Sequence, residues 1–303
     1  MRFIKYALPT LPLAIVLGAT ISYPVRAGEP VSLMHVHGMS YSADGRQLLI
    51  PSHQGMAIHE NGRWSKAPGP AHDYMGFSAT RDALYSSGHP APDTGQINPF
   101  GLIKSRDGGK TWQKLGLEGE SDFHLVATGY RTNALYVVNQ GLNSRMNQAG
   151  IFHTRNDGFK WTRANAAGLG GQITSLAVHP SDAAVVAAGT VDGLYLSRNS
   201  AENFERLVDG QRVLAVTFDQ NGQHLWFGTQ AGKAALRKIA LKAGAKAEEL
   251  PIPALPDDAI AYIAQNPLRP SEMAIATFKR NVFVSKDQGR SWTQIAKNGA
   301  TKD

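Results

Sequence analysis

The chain has no cysteine. Disulfides, thiolate metal sites and cysteine nucleophiles are therefore excluded, and the fold must be stabilised without cross-links. Charge is sparse as well. Asp, Glu, Lys and Arg make up 18% of the 303 residues, against roughly a quarter in ordinary domains. No block of five or more basic residues occurs, so the footprint of a nucleic-acid binder is missing. Beyond residue 27 no apolar run is long enough to span a membrane.

The longest apolar run opens the chain. "ALPTLPLAIVLGATI" is interrupted by Pro9 and Pro12, preceded by Arg2 and Lys5, and followed by Val25, Arg26 and Ala27. A basic start, a short apolar stretch and a small-x-small site predict a secretory signal peptide over residues 1–27. The mature chain, 28–303, is then periplasmic or secreted, with no membrane span. Cleavage removes Arg2, Lys5 and Arg26 and lowers the formal charge from +7 to +4.

What the chain does have is a repeat. "SRDGGKTW" at 105–112 and "SKDQGRSW" at 285–292 share Ser-x-Asp-x-Gly-x-Ser/Thr-Trp. "TRNDGFKW" (154–161) and "SRNSAENF" (197–204) are looser copies, and "HENGRW", ending at Trp64, is a worn one. The closing aromatics recur at spacings of 48, 49, 43 and 88 residues, the last being two periods. Upstream of each box stand short β-rich runs with Gly, Asn and Asp turns, such as "ITSLAVHP", "VVAAGT" and "GLYLSRN". Six units of about 46 residues follow, over 31–69, 70–118, 119–168, 169–209, 210–255 and 256–298. Four strands per unit predict an all-β fold: one six-bladed β-propeller domain of four-stranded antiparallel blades.

The boxes resemble the Asp-box (BNR) repeat of sialidases, sortilin-type receptors, some glycoside hydrolases and photosystem II assembly-factor-like propellers. That resemblance implies a structural role for Asp107, Gly109, Trp112, Gly158, Trp161, Asp287, Gly289 and Trp292, in the turn between the third and fourth strands. It informs fold more than activity. The sialidase pattern would require an arginine triad and an Arg-Ile-Pro-type motif, and "VSLMHVHGMSY" lacks the latter. Other Asp-box hydrolases use a carboxylate pair, for which Asp73 and Asp122 are the candidates. Assembly-factor-like propellers bind polypeptides, which makes a protein partner a third class.

The histidines are distributed unevenly. If the box marks the lower face, then His35, His37, His53, His72, His89 and His124 map to the upper or inner region of the first three units. His59, His179 and His224 map below, and His153 lies in a third strand. The inner strands of units 4–6, "ITSLAV", "VLAVTF" and "IAYIAQ", carry none. Residues i and i+2 of a strand share a face, pairing His35 with His37, His72 with Tyr74, and Asp122 with His124. Five of the six methionines beyond residue 27 follow the same half: Met34, Met39, Met56, Met75 and Met146.

Imidazole suits borderline metals and thioether suits Cu(I). The expectation is a metal, copper before zinc, held by His35, His37, His72 and His124 with Met34, Met39 or Met75. His53, His89, Asp122 and Tyr74 then form the surroundings or a gate, and Asp73, Asp122 or Asp93 would shift the set toward Zn(II) or Cu(II). A polar small-molecule pocket and a structural hydrogen-bond network are the alternatives. The protein is expected to act as a monomer.

Overall fold

The computed structural model of the chain describes residues 31–92 and 94–301. Residues 1–27, which the sequence predicts to be a signal peptide, and Asp93 lie outside them. Blade 1 is β1 (Ser40–Tyr41), β2 (Leu48–Ser52), β3 (Gly55–Glu60) and β4 (Arg63–Lys66). Blade 2 is β5 (Asp73–Ala79), β6 (Leu84–His89), β7 (Leu102–Ser105) and β8 (Gln113–Gly116). Blade 3 is β9 (Val126–Thr128), β10 (Leu135–Asn139), β11 (Gly150–Thr154) and β12 (Thr162–Arg163). Blade 4 is β13 (Ile173–Val178), β14 (Val186–Thr190), β15 (Gly193–Ser197) and β16 (Glu205–Asp209). Blade 5 is β17 (Arg212–Phe218), β18 (His224–Ala231), β19 (Lys233–Ala240) and β20 (Glu248–Leu250). Blade 6 is β21 (Ile260–Gln265), β22 (Met273–Thr277), β23 (Val282–Ser285), β24 (Thr293–Lys297) and β25 (Ala300–Thr301). Every pairing is between neighbours and antiparallel. The architecture is the six-bladed propeller that the repeat predicts.

Burial explains why these segments are strands. The second strands β2, β14 and β22 are buried along their whole length. They hold small or branched residues such as "VAAGT" and "MAIAT", which fit between two neighbouring sheets. The fourth strands β8, β12, β16 and β20 are largely exposed. One apolar cluster fills each gap between adjacent blades. Leu49 and Phe77 join blades 1 and 2, Leu102 and Phe152 blades 2 and 3, and Tyr136 and Tyr195 blades 3 and 4. Leu194 and Phe227 join blades 4 and 5, and Trp226 and Ile275 blades 5 and 6. The sixth cluster packs Leu48 and Ile50 on Ala274 and Ile295, so the ring is closed. Closure is reinforced at the rim. Ser32 bridges Ala300, the Leu33 amide donates to Gly299 O at 2.8 Å, and Thr301 Oγ1 donates to Val31 O at 2.6 Å.

The repeated box lies between third and fourth strands in blades 2, 3, 4 and 6. In blade 2, Gly109 N–H donates to Ser105 Oγ at 2.8 Å and Thr111 N–H to Asp107 Oδ1 at 2.9 Å. Blade 6 repeats this through Gly289 to Ser285 (2.8 Å) and Ser291 to Asp287 (2.9 Å). In blades 3 and 4, Asn156 and Asn199 replace the aspartate and accept one backbone bond each from across the turn. The box glycine must adopt a left-handed conformation, with φ of +89° at Gly109 and +78° at Gly158 and Gly289. Trp112 donates to Gly109 O and Trp292 to Pro251 O. Hydroxyl and amide donors hold the Asp107 and Asp287 carboxyls down at about 2. In blade 1 the worn copy is a plain hairpin: Asn61 and Gly62 both have positive φ between the paired Glu60 and Arg63.

Candidate functional site

His35 and His37 lie on the segment entering β1. The His37 amide donates to Pro51 O at 3.2 Å, which extends the inner edge of blade 1 past the end of β1. The two rings stack, with centroids 5.8 Å apart, as their i, i+2 relation requires. His53 sits in the tight turn between β2 and β3. The Gly55 amide donates to His72 O at 2.9 Å, drawing that turn against the start of blade 2. The His53 ring therefore lies edge-on to both others, with centroids 4.3 Å from His35 and 4.6 Å from His37.

One ring nitrogen from each of His35, His37 and His53 lies within 4.8 Å of the others. Asp73, the first residue of β5, accepts from His53 Nδ1 at 2.7 Å. That bond fixes the tautomer, so Nε2 of His53 is a lone pair. It faces His37 Nε2 at 3.4 Å. Burial first, and then the neighbouring His53, lower the His37 pKa to about 4, so this ring is neutral at pH 7. Asp73 Oδ1 is buried without a hydrogen-bond partner, 3.9 Å from His37 Nε2. Three converging imidazoles with a carboxylate behind one of them form a donor set ready for a borderline divalent cation.

A second His/Asp group adjoins the first. The buried Phe123 turns into the core, and its amide donates to Ser87 Oγ at 2.9 Å. Asp122 and His124, on either side of it, project the other way and meet: His124 Nε2 is 2.7 Å from Asp122 Oδ2. His89 Nε2 approaches the same oxygen at 3.3 Å. His89 is directly opposite Asp73 in the β5–β6 ladder, so the two groups are neighbours. His37 from one and His124 from the other both line the axial channel, a cavity of about 260 Å³ walled by the inner strands of all six blades.

Five of the six upper-face histidines thus come together, and His72 does not join them. It is buried, and its Nδ1 accepts the Ala91 amide at 2.9 Å. Its ring contacts Tyr74 and Phe100. Tyr74 packs against Phe100 and Trp112 and donates to Pro70 O. Both residues anchor the β6–β7 loop and offer nothing to the imidazole group. The methionines mostly leave it too. Met39 and Met75 are 8% and 9% exposed, Met39 within the cluster that joins blades 6 and 1. Met56 and Met146 are buried in the clusters between blades 1 and 2 and between blades 2 and 3. Of those five, Met34 alone is exposed.

His53, assigned from sequence to the surroundings, is instead central. Its sequence signal was the turn "PSHQG" at the upper end of the blade that also carries His35 and His37. Elsewhere, His153 stacks on Tyr136, His179 accepts the Ser181 and Asp182 amides, and His224 pairs with Asp219.

No family model and no curated protein matches the chain. Solved structures do match its fold. A GH74 enzyme from Niastella koreensis superposes with a TM-score of 0.60 at 14% identity, over 88% of this chain and 46% of that one. Hydrazine synthase from Kuenenia stuttgartiensis gives 0.56 at 12% identity, over 86% and 79%. YCF48 bound to D1 peptide gives 0.51 at 15% identity, over 88% and 83%. This chain spans less than half the length of the GH74 enzyme. These likenesses concern the propeller fold.

Proposed function

We propose that this is an exported, monomeric Asp-box propeller that binds a divalent metal ion at the upper mouth of its channel. His35, His37 and His53 supply the donors, and Asp73 orients His53. The observation that carries the reading is the convergence of three imidazole nitrogens within 4.8 Å, one ring backed by a carboxylate. Imidazole and carboxylate suit Zn(II) or Cu(II). Cu(I) would call for thioethers, and with Met39 and Met75 committed to the core only the exposed Met34, next to His35 in sequence, is left to supply one. Binding is favoured over glycoside hydrolysis because Asp73 and Asp122, the candidate carboxylate pair, are each engaged by histidines.

Equilibrium dialysis of the purified chain against Zn(II) and Cu(II) at pH 7 tests this. His53→Ala should weaken binding about 100-fold or more, and Asp73→Asn about 10- to 100-fold. His179→Ala, on a turn at the other end, should leave it unchanged. Equal affinities in all four proteins would overturn the assignment. Hydrolysis of a fluorogenic glucoside, lost in Asp73→Asn without added metal, would move the protein to the hydrolase class.

A further inference from the structure

We infer that the upper face holds a second, separate divalent cation site, formed by Asp122, His89 and His124. The inference goes beyond the first site and does not depend on it. It starts from a mismatch of hydrogen-bonding roles. His89 Nδ1 is 2.6 Å from Asn98 Oδ1. An amide oxygen can only accept, so the ring proton is on Nδ1. With one ring proton, placed there, His89 turns the Nε2 lone pair toward Asp122 Oδ2 at 3.3 Å, so an acceptor faces an anionic acceptor. Asp122 Oδ2 already receives His124 Nε2 at 2.7 Å, while Asp122 Oδ1 is buried with no partner at all. Buried carboxylate oxygens are rarely left so, because the lost hydration is uncompensated.

A second proton on His89 would repair the first fault and leave the second. A cation repairs both, since it takes the His89 lone pair and the carboxylate together. His124, half-exposed, can move its proton to Nδ1 and must turn its ring toward His89 to offer Nε2 as a third donor, because the three donor atoms do not yet lie within 4.8 Å of one another. Asn98 then does for His89 what Asp73 does for His53: it fixes the ring from behind. Two imidazoles and a carboxylate, on an open face that leaves room for water, match the donor chemistry of Zn(II). Because His37 and His124 line one channel, the two ions would flank its mouth.

Zinc stoichiometry of the full chain decides the matter, measured by dialysis and metal analysis at pH 7 with Zn(II) as the only added ion. The wild-type protein should hold two ions. Asp122→Asn and His124→Ala should each hold one, and His53→Ala should also hold one. His124 is exposed enough that its variant folds even if the Asp122 variant does not. One ion in the wild type, kept in Asp122→Asn and lost in His53→Ala, would sink the second site and leave the first standing. One ion lost in Asp122→Asn and kept in His53→Ala would do the reverse. Two ions retained in both Asp122→Asn and His124→Ala would also sink the second site.

Discussion

Blades 4–6 and blades 1–3 use one scaffold in two ways. In the first group the inner strands β13, β17 and β21 run for six or seven residues, each with a single register shift near its upper end. Their upper ends carry Ile173, Arg212 and Ile260 and no imidazole. In the second group β1 and β9 have only two and three ladder residues. The segments before them, 35–39 and 122–125, drop out of the regular ladder but stay bonded to the next strand through the His37 amide to Pro51 O and the Val138 amide to Leu125 O. β5 keeps its length, but Gly76 at φ +43° sits where an added Cβ would collide with Phe123 O. The lesson is local. His35, His37, Asp122 and His124 come from segments where the regular ladder is given up, and Asp73 and His89 meet them from a ladder pair of blade 2.

The sharpest way to break this comparison is to damage the regular half alone. Phe227 is fully buried between blades 4 and 5. Phe227→Ala should lower the unfolding free energy by about 3–5 kcal/mol, measured by denaturant titration. Zinc stoichiometry of the folded protein should not change. If it does, the halves are not separable.

A smaller effect should come from the histidine half. His37 has a pKa near 4 in the folded chain because burial disfavours its charged form. The unfolded chain takes up that proton at about 6.5. Between those values the unfolded state binds more protons, so stability falls as pH falls from about 6.5 through 4. In metal-free protein, His37→Gln should flatten this limb, while His153→Gln, outside the group, should flatten it less. An unchanged limb in His37→Gln would mean that the ring is not desolvated.

The smallest effect should be shared by both halves. Asp107 in blade 2 and Asp287 in blade 6 have folded pKa values near 2, below the unfolded value of about 3.9. Their contribution is present above that unfolded value and is lost as pH falls through 2. Asp107→Asn and Asp287→Asn should each soften acid unfolding between about pH 4 and 2, and by similar amounts. Asp107 is exposed and Asp287 partly so, and the change is therefore small. A large difference between the two would show that the box turns are not equivalent.

The fold was legible because a repeat fixes its own period: the aromatics at 112, 161, 204 and 292 close four turns of one design. The crowding of imidazoles at one end was legible from strand direction alone. Membership of the group was not. His72 and Asp73 are adjacent in sequence, and a strand sends neighbours to opposite faces. Asp73 meets His53 while His72 is sealed under the β6–β7 loop. His53 reaches Asp73 only through the packing of blade 1 on blade 2, which no local pattern encodes. The methionines misled for a related reason: a flexible thioether fills gaps between blades as readily as it binds copper.

The clasp at the rim has a mechanical consequence. Ser32 is fastened to Ala300, and Arg280 of the last blade holds the Met34 carbonyl at 3.1 Å. His35 is the next residue, so the first imidazole hangs at the seam where the ring is joined. An ion gripped there by His35 and His53 would pin to the body of blade 1 the strap that Ser32 and Met34 fasten to the last blade.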